Sequence, residues 1–334
     1  MNRPIIEIVN LQKKYPIEKS LFGKAHNHIY AVNGVHLKIP KGQTVGLVGE
    51  SGCGKSTIGK MLVGLEKPDG GEIYFKSQPV SKIYRENPLH YHRSVQIIFQ
   101  NPYGALNPRQ KIFQMFNEIY RVHFNLPLPE RQKRIRQLLK NIGMGEEILE
   151  RYPFEFSGGQ RQRLCIARAL AVNPEVVVCD EPVSALDVSV QSQILKLLKE
   201  LQAASQLSYL FISHDLGVVY HMCDVVYVMY LGKIVEYGET ETLFNNARHP
   251  YTRALLSAIP VPDPEHPEKR IILKGDVPNP TRLPQGCPFY DRCPESMEIC
   301  KEQAPPRVEF SREHWAECWL YHHSVKNDIS FLNS

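Results

Sequence analysis

Apolar residues gather in short runs spaced along most of the chain: Thr44–Val48, Val95–Phe99, Val176–Cys179, Tyr209–Ile212 and Val225–Met229. Each run is too short for a helix and rich in β-branched or aromatic residues. None alternates as a half-solvated strand does, which predicts strands buried on both faces. Segments with helical spacing fall between them, so the chain reads as α/β, a mostly parallel sheet covered by helices. More polar strands are predicted at Ile5–Asn10, Ala31–Ile39, Glu72–Phe75 and Lys233–Tyr237 as an antiparallel flank, with Pro16–His28 a loop or loose hairpin.

Between Arg109 and Arg151 the pattern changes to charged helix formers, predicting a helical insertion within about residues 101–172. Its basic run Arg131–Lys140 carries Ile135, Leu138 and Leu139 at helical spacing, so a solvated amphipathic face explains the charge better than an anion site. Prolines crowd the chain from Pro260 to Pro306, and helices and central strands reject them. The boundary therefore falls near Ile259, separating residues 1–258 from a small, loop-dominated extension over 259–334.

With 334 residues, 43% of them hydrophobic and 22% charged, the sequence fits a globular protein of two or three domains. A disordered or collagen-like chain is excluded. The longest apolar run, Val225–Leu231, is far short of the ~20 residues that span a bilayer. No secretory signal is visible at the start, so the cytosol is the expected compartment. A net charge of +5 is too mild to imply a nucleic-acid partner.

Chemistry enters at Gly49-Glu50-Ser51-Gly52-Cys53-Gly54-Lys55-Ser56-Thr57, a G-x-x-x-x-G-K-[ST] string directly after the run Thr44–Val48 and before a helix-compatible segment. Glycines let backbone N–H groups converge on phosphate oxygens, and a following helix turns its positive end to the same anion. Lys55 is then placed to reach the β- and γ-phosphates of ATP, and Ser56 to ligate Mg²⁺. The run Val176–Cys179 ends in Asp180-Glu181, at the end of a strand where open α/β sheets bind ligands. Strand alternation points the two carboxylates apart, suiting Asp180 to the Mg²⁺ shell and Glu181 to the attacking water.

Phe156-Ser157-Gly158-Gly159-Gln160 opens a further helix-like segment and makes a second anion-binding terminus. At this point the chain resembles the ATP-binding cassette (ABC) ATPases, whose signature is written L-S-G-G-Q; Phe156 replaces the Leu. The resemblance covers roughly Ile5 to Ala258 with the motifs in the family's order. It implies a P-loop NTPase fold, with a RecA-like parallel core, an antiparallel β flank and a helical insertion. It also implies two cassettes packed head to tail, each signature closing over nucleotide held by the other's phosphate loop. On that likeness Gln100 matches the glutamine that touches Mg²⁺ or water, and Asp187 in Ser184-Ala185-Leu186-Asp187 lies across the dimer interface. His214 matches the switch histidine that senses the γ-phosphate, and Tyr15 the aromatic that stacks on adenine. A soluble ABC ATPase acting on nucleic acid is the rival reading, disfavoured by the single cassette and short insertion.

Cys287, Cys293, Cys300 and Cys318 lie close together in the extension, without the C-x2-C knuckles usual for zinc. Four thiols on a proline-rich frame suggest a [4Fe–4S] cluster that cross-links it, with zinc second and unligated thiols the plainest alternative. The runs His249–Leu256, Pro260–Pro264 and Gly286–Pro294 look like the C-terminal extension of oligopeptide and dipeptide importer ATPases. The stretches around the signature and Asp187 look most like the F-type subunit. That likeness implies a D-type paralogue as partner, with a second copy of this chain as the alternative, two membrane permeases, an extracytoplasmic binding protein and a place on the cytoplasmic face of the membrane. It also implies a peptide solute, with nickel, glutathione or oligosaccharide as alternatives, and an iron–sulfur cluster in the extension.

Overall fold

The computed structural model describes residues 3–17, 28–259, 270–275, 278, 281 and 284–322. Part of the loop predicted over Pro16–His28 and the prolines Pro260, Pro262, Pro264 and Pro267 lie outside the described residues. In chain order the strands are β1 (Ile6–Pro16), β2 (His28–Ile39), β3 (Thr44–Val48), β4 (Gly70–Phe75), β5 (Gln78–Pro79) and β6 (Val95–Ile98). They continue with β7 (Val176–Asp180), β8 (Ser208–Ser213), β9 (Val225–Tyr230), β10 (Lys233–Glu239), β11 (Arg307–Ser311) and β12 (His314–Glu317).

Two sheets result. One has the order β2-β1-β4-β5 and is antiparallel throughout. The other runs β11-β12-β10-β9-β3-β8-β7-β6, with β9, β3, β8, β7 and β6 parallel. Every residue of β3, β7, β8 and β9 is buried, as continuous apolar runs require when helices cover both faces.

Lys233–Tyr237 does not join the flank. As β10 it pairs antiparallel with β9 in the main sheet, with Lys233 opposite Tyr230. The two-residue connection Leu231-Gly232 has φ of 42° and 78°, the left-handed pair that a tight hairpin needs. Local turn geometry therefore overrides the polar character of the strand.

The extension, expected to be mostly loop, supplies two strands. β12 pairs with β10, setting Trp315 opposite Tyr237, and β11 pairs with β12. This hairpin covers the backbone edge that β10 would otherwise expose. Phe289 is fully buried with its ring 5.2 Å from that of Tyr230 and 5.4 Å from that of Tyr251, so the extension shares a core with the preceding chain.

The insertion is helical as predicted, with helices Ile112–Phe124 and Leu128–Asn141. Ile135, Leu138 and Leu139 are its buried stripe, which turns the basic residues outward. Among the described residues, no helix is long and apolar enough to cross a membrane.

Candidate functional site

Strand register brings the predicted residues to one edge. Val48 is level with Ser213, Asp180 with Ile212, and Ile98 with Cys179. Gly49, Glu181, His214 and Gln100 follow these residues within one or two positions, so all four leave the carboxyl edge of the parallel strands together. That edge is where open α/β sheets hold ligands.

The loop after β3 is built on glycine for steric reasons. A Cβ on Gly49, whose φ is 150°, would stand 2.1 Å from the Met229 carbonyl oxygen; one on Gly54, at φ 110°, would stand 2.0 Å from that of Ala31. Only a residue without a side chain lets the loop run this close to neighbouring backbone. Gly54 caps the helix Lys55–Leu62, which starts under the loop. Ser51 and Gly52 are exposed, Cys53 is buried, and Thr57 is half-buried in the first helical turn. Lys55 is buried, and its Nζ donates to the carbonyls of Gly49 at 2.7 Å and Glu50 at 2.9 Å. The ammonium is thus held at the centre of the loop. Burial pushes the Cys53 thiol up, against the opposing charge of Lys55.

The two carboxylates separate as strand alternation requires. The Ser56 hydroxyl donates to Asp180 Oδ1 at 2.8 Å. Burial raises the Asp180 carboxyl, the Ser56 hydrogen bond lowers it, and the Glu181 charge raises it. A hydroxyl beside a single buried carboxylate fits Mg²⁺, which keeps several waters and completes its shell with phosphate oxygens. Glu181 turns the other way, with Gln100 Nε2 donating to one oxygen at 2.7 Å and His214 Nδ1 3.1 Å from the other. Its backbone has φ 47°, a conformation few non-glycine residues adopt, and its N–H donates to the Ile212 carbonyl at 3.0 Å. Gln100 thus meets Glu181 directly, a contact the sequence does not reveal.

Ser157 caps the helix Gly158–Leu170 through a reciprocal pair: Gln160 N–H donates to the Ser157 hydroxyl and Ser157 N–H to the Gln160 side chain. Ser157 and Gln160 are exposed while Phe156 is buried, so the aromatic substitution is absorbed into the core. The signature glycines face Leu186 and Val190, beside the exposed Asp187 that precedes the helix Val188–Ser205. Tyr15, half-buried near the end of β1, has the Lys13 ammonium 5.3 Å from its ring centre.

Glu50 is expected in the loop, but its partner in the extension is missed from sequence. Arg292 of the extension grips its carboxylate with two hydrogen bonds, 2.6 and 2.9 Å long. A separation of 242 residues leaves no periodic signal; a charged residue inside a loop otherwise made of small ones is the only hint.

The cysteine expectation is corrected. Among the described residues, no group of three or more His, Cys, Asp or Glu is placed to hold a metal ion, so the [4Fe–4S] cluster and the zinc alternative at Cys287, Cys293, Cys300 and Cys318 are not supported. All four are free cysteines. Burial pushes the thiols of Cys287 and Cys318 up to about 12 and raises that of Cys293. The β12–β10 pairing, the buried Phe289 ring and the Arg292–Glu50 ion pair attach the extension.

Comparison with known proteins agrees with this geometry. Residues 32–184 match the ABC transporter family, and residues 235–300 match the C-terminal region of oligopeptide/dipeptide transporters. The oligopeptide transport ATP-binding protein AppF of Bacillus subtilis is 46% identical over 320 residues, 95% of this chain and 97% of the relative. The dipeptide transport ATP-binding protein DppF of Escherichia coli is 45% identical over 310 residues, 93% and 92% of the two chains. Among solved structures, CbiO1 of Clostridium perfringens, part of an ABC transporter complex, is similar with a TM-score of 0.62 and 28% identity, over 73% of this chain and 92% of that one. The dimeric bacterial ABC transporter cassette MJ0796 gives the same TM-score and identity over 70% of this chain and 98% of its own. At 45–46% identity to these transport proteins over more than nine-tenths of its length, and with both family matches in order, the chain is a member of the oligopeptide and dipeptide transport ATP-binding family of ABC cassettes.

Proposed function

We propose that this chain binds and hydrolyses ATP to drive a peptide importer, closing on a second cassette and passing that closure to membrane permeases. The observation that carries the reading is the convergence of Lys55, the Ser56–Asp180 pair and the Glu181–Gln100–His214 group on one sheet edge. The names of AppF and DppF support peptide as the solute class. The nucleotide unit is residues 1–258, and residues 259–334 form the extension.

In this mechanism the loop amides of residues 49–57 and Lys55 hold the β- and γ-phosphates. Ser56, Asp180 and Gln100 would hold Mg²⁺, which would supply positive charge for the phosphate oxygens. Glu181 orients the attacking water and draws its proton, and His214 leaves the carboxylate to donate toward the γ-phosphate. Tyr15 stacks on the adenine. The exposed Ser157 and Gln160 and the half-buried Gly158 and Gly159 serve the nucleotide of the partner cassette, with Asp187 between the two. Because those donors recognise the γ-phosphate, ATP favours the closed pair and ADP the open one, which turns chemistry into movement.

The partner is a paralogous D-type cassette, and the assembly includes two permeases and an extracytoplasmic receptor at the cytoplasmic face of the membrane. ATP turnover measured on the chain alone, verified as monomer by light scattering, and again with its partner cassette tests the scheme. Full turnover by the monomer would overturn it.

A further inference from the structure

Three anchors meet on one residue of the phosphate loop. The Glu50 carbonyl accepts from Lys55 Nζ at 2.9 Å, and its N–H donates to the Tyr251 hydroxyl at 2.8 Å. Its carboxylate receives both terminal nitrogens of Arg292, at 2.6 and 2.9 Å. The Arg292 side chain is only 8% exposed, and NH1 also donates to the Tyr230 hydroxyl at 3.3 Å. Tyr230, Tyr251 and Phe289 pack against one another beneath it, with ring centres 4.7 to 5.4 Å apart. Arg292 itself sits in the short turn Tyr290–Arg292, fixed by the buried Phe289 before it.

A two-pronged guanidinium–carboxylate pair fixes orientation as well as distance. Here the guanidinium comes from the extension and the carboxylate from the loop read above as the ATP loop.

We propose that Arg292 is a positioning residue for the phosphate loop: through Glu50 it holds the loop open and ordered, ready for a triphosphate. The extension thereby sets ATP affinity from outside the cassette. A loop that is competent only part of the time binds more weakly in proportion to the lost fraction, without any change in the contacts made once bound. This rests on the reading of Gly49–Thr57 as the ATP loop.

The test uses the full chain with its partner cassette. Arg292→Met should weaken ATP binding about tenfold and raise KM for ATP similarly, with kcat at saturating ATP within about twofold of wild type. Arg292→Lys should fall between, since a single ammonium cannot make both bonds. Adding Glu50→Gln to Arg292→Met should cost little more, because both changes break one pair. Unchanged ATP affinity in Arg292→Met, or losses that simply add in the double variant, would overturn the proposal. A fall in melting temperature with unaltered ATP affinity would mean a structural strut only, and counts against it. Hydrogen exchange at the amides of residues 49–54 without nucleotide separates this from the ATP reading. Faster exchange in Arg292→Met supports the clamp even if wild type proves not to bind ATP, and unaltered exchange refutes it. If Arg292→Met does not fold, Glu50→Gln alone is read by the same two measurements.

Discussion

His214 Nδ1 stands 3.1 Å from one carboxylate oxygen of Glu181, and the two residues come from the ends of neighbouring strands β8 and β7. With Gln100 donating to the other oxygen, the carboxylate is clasped from both sides by groups that can release it. His214 is 58% exposed against 15% for Glu181, so the histidine is the member free to swing toward an incoming phosphate. In the proposed mechanism Glu181→Gln removes the proton acceptor and leaves the shape intact. Turnover should fall by at least about a hundredfold while ATP affinity stays within a few-fold, read by phosphate release and by equilibrium nucleotide binding.

Lys55 spends its hydrogen bonds on the carbonyls of the loop it serves. Lys55→Ala should therefore leave the sheet intact and abolish the rise in melting temperature that ATP gives the wild type. A thermal melt with and without ATP and Mg²⁺ decides it; an undiminished ATP-induced rise removes Lys55 from the phosphate site.

His249 is buried, and its Nδ1 accepts the Tyr251 N–H at 3.1 Å, capping the helix Pro250–Leu256. Burial lowers its pKa from 6.5 to about 4, with Glu236 opposing and Arg253 adding to the shift. Between those values the unfolded chain binds the proton and the folded chain does not. Stability from this residue is thus complete above pH about 6.5 and is lost as pH falls toward 4, on the order of 3 kcal/mol in all. Asparagine can cap without titrating. Denaturant unfolding of His249→Asn across that range should show a shallower dependence on pH than wild type.

Trp315 carries the extension's hairpin onto the sheet. It is 7% exposed, its ring lies 6.2 Å from that of Tyr237, and the Arg307 guanidinium sits 4.3 Å from its centre. Trp315→Ala should cost about 3–5 kcal/mol in a denaturant melt. A loss below about 1 kcal/mol would mean that β11 and β12 add little to the fold.

The sequence by itself determined the parallel core, because uninterrupted apolar runs can only be strands covered on both sides, as β3, β7, β8 and β9 are. It also located the glycine-rich loop proposed to hold phosphate, since glycine spacing, lysine and a following helix are contiguous there. The clasp on Glu181 and the grip of Arg292 on Glu50 were decided by tertiary structure alone. Each joins segments distant in the chain, and the distances that govern hydrogen bonds and ion pairs exist only after packing has brought those segments together. The cysteines illustrate the same limit: spacing along a chain suggests ligation, whereas burial and placement in the fold decide whether the thiols are arranged for it.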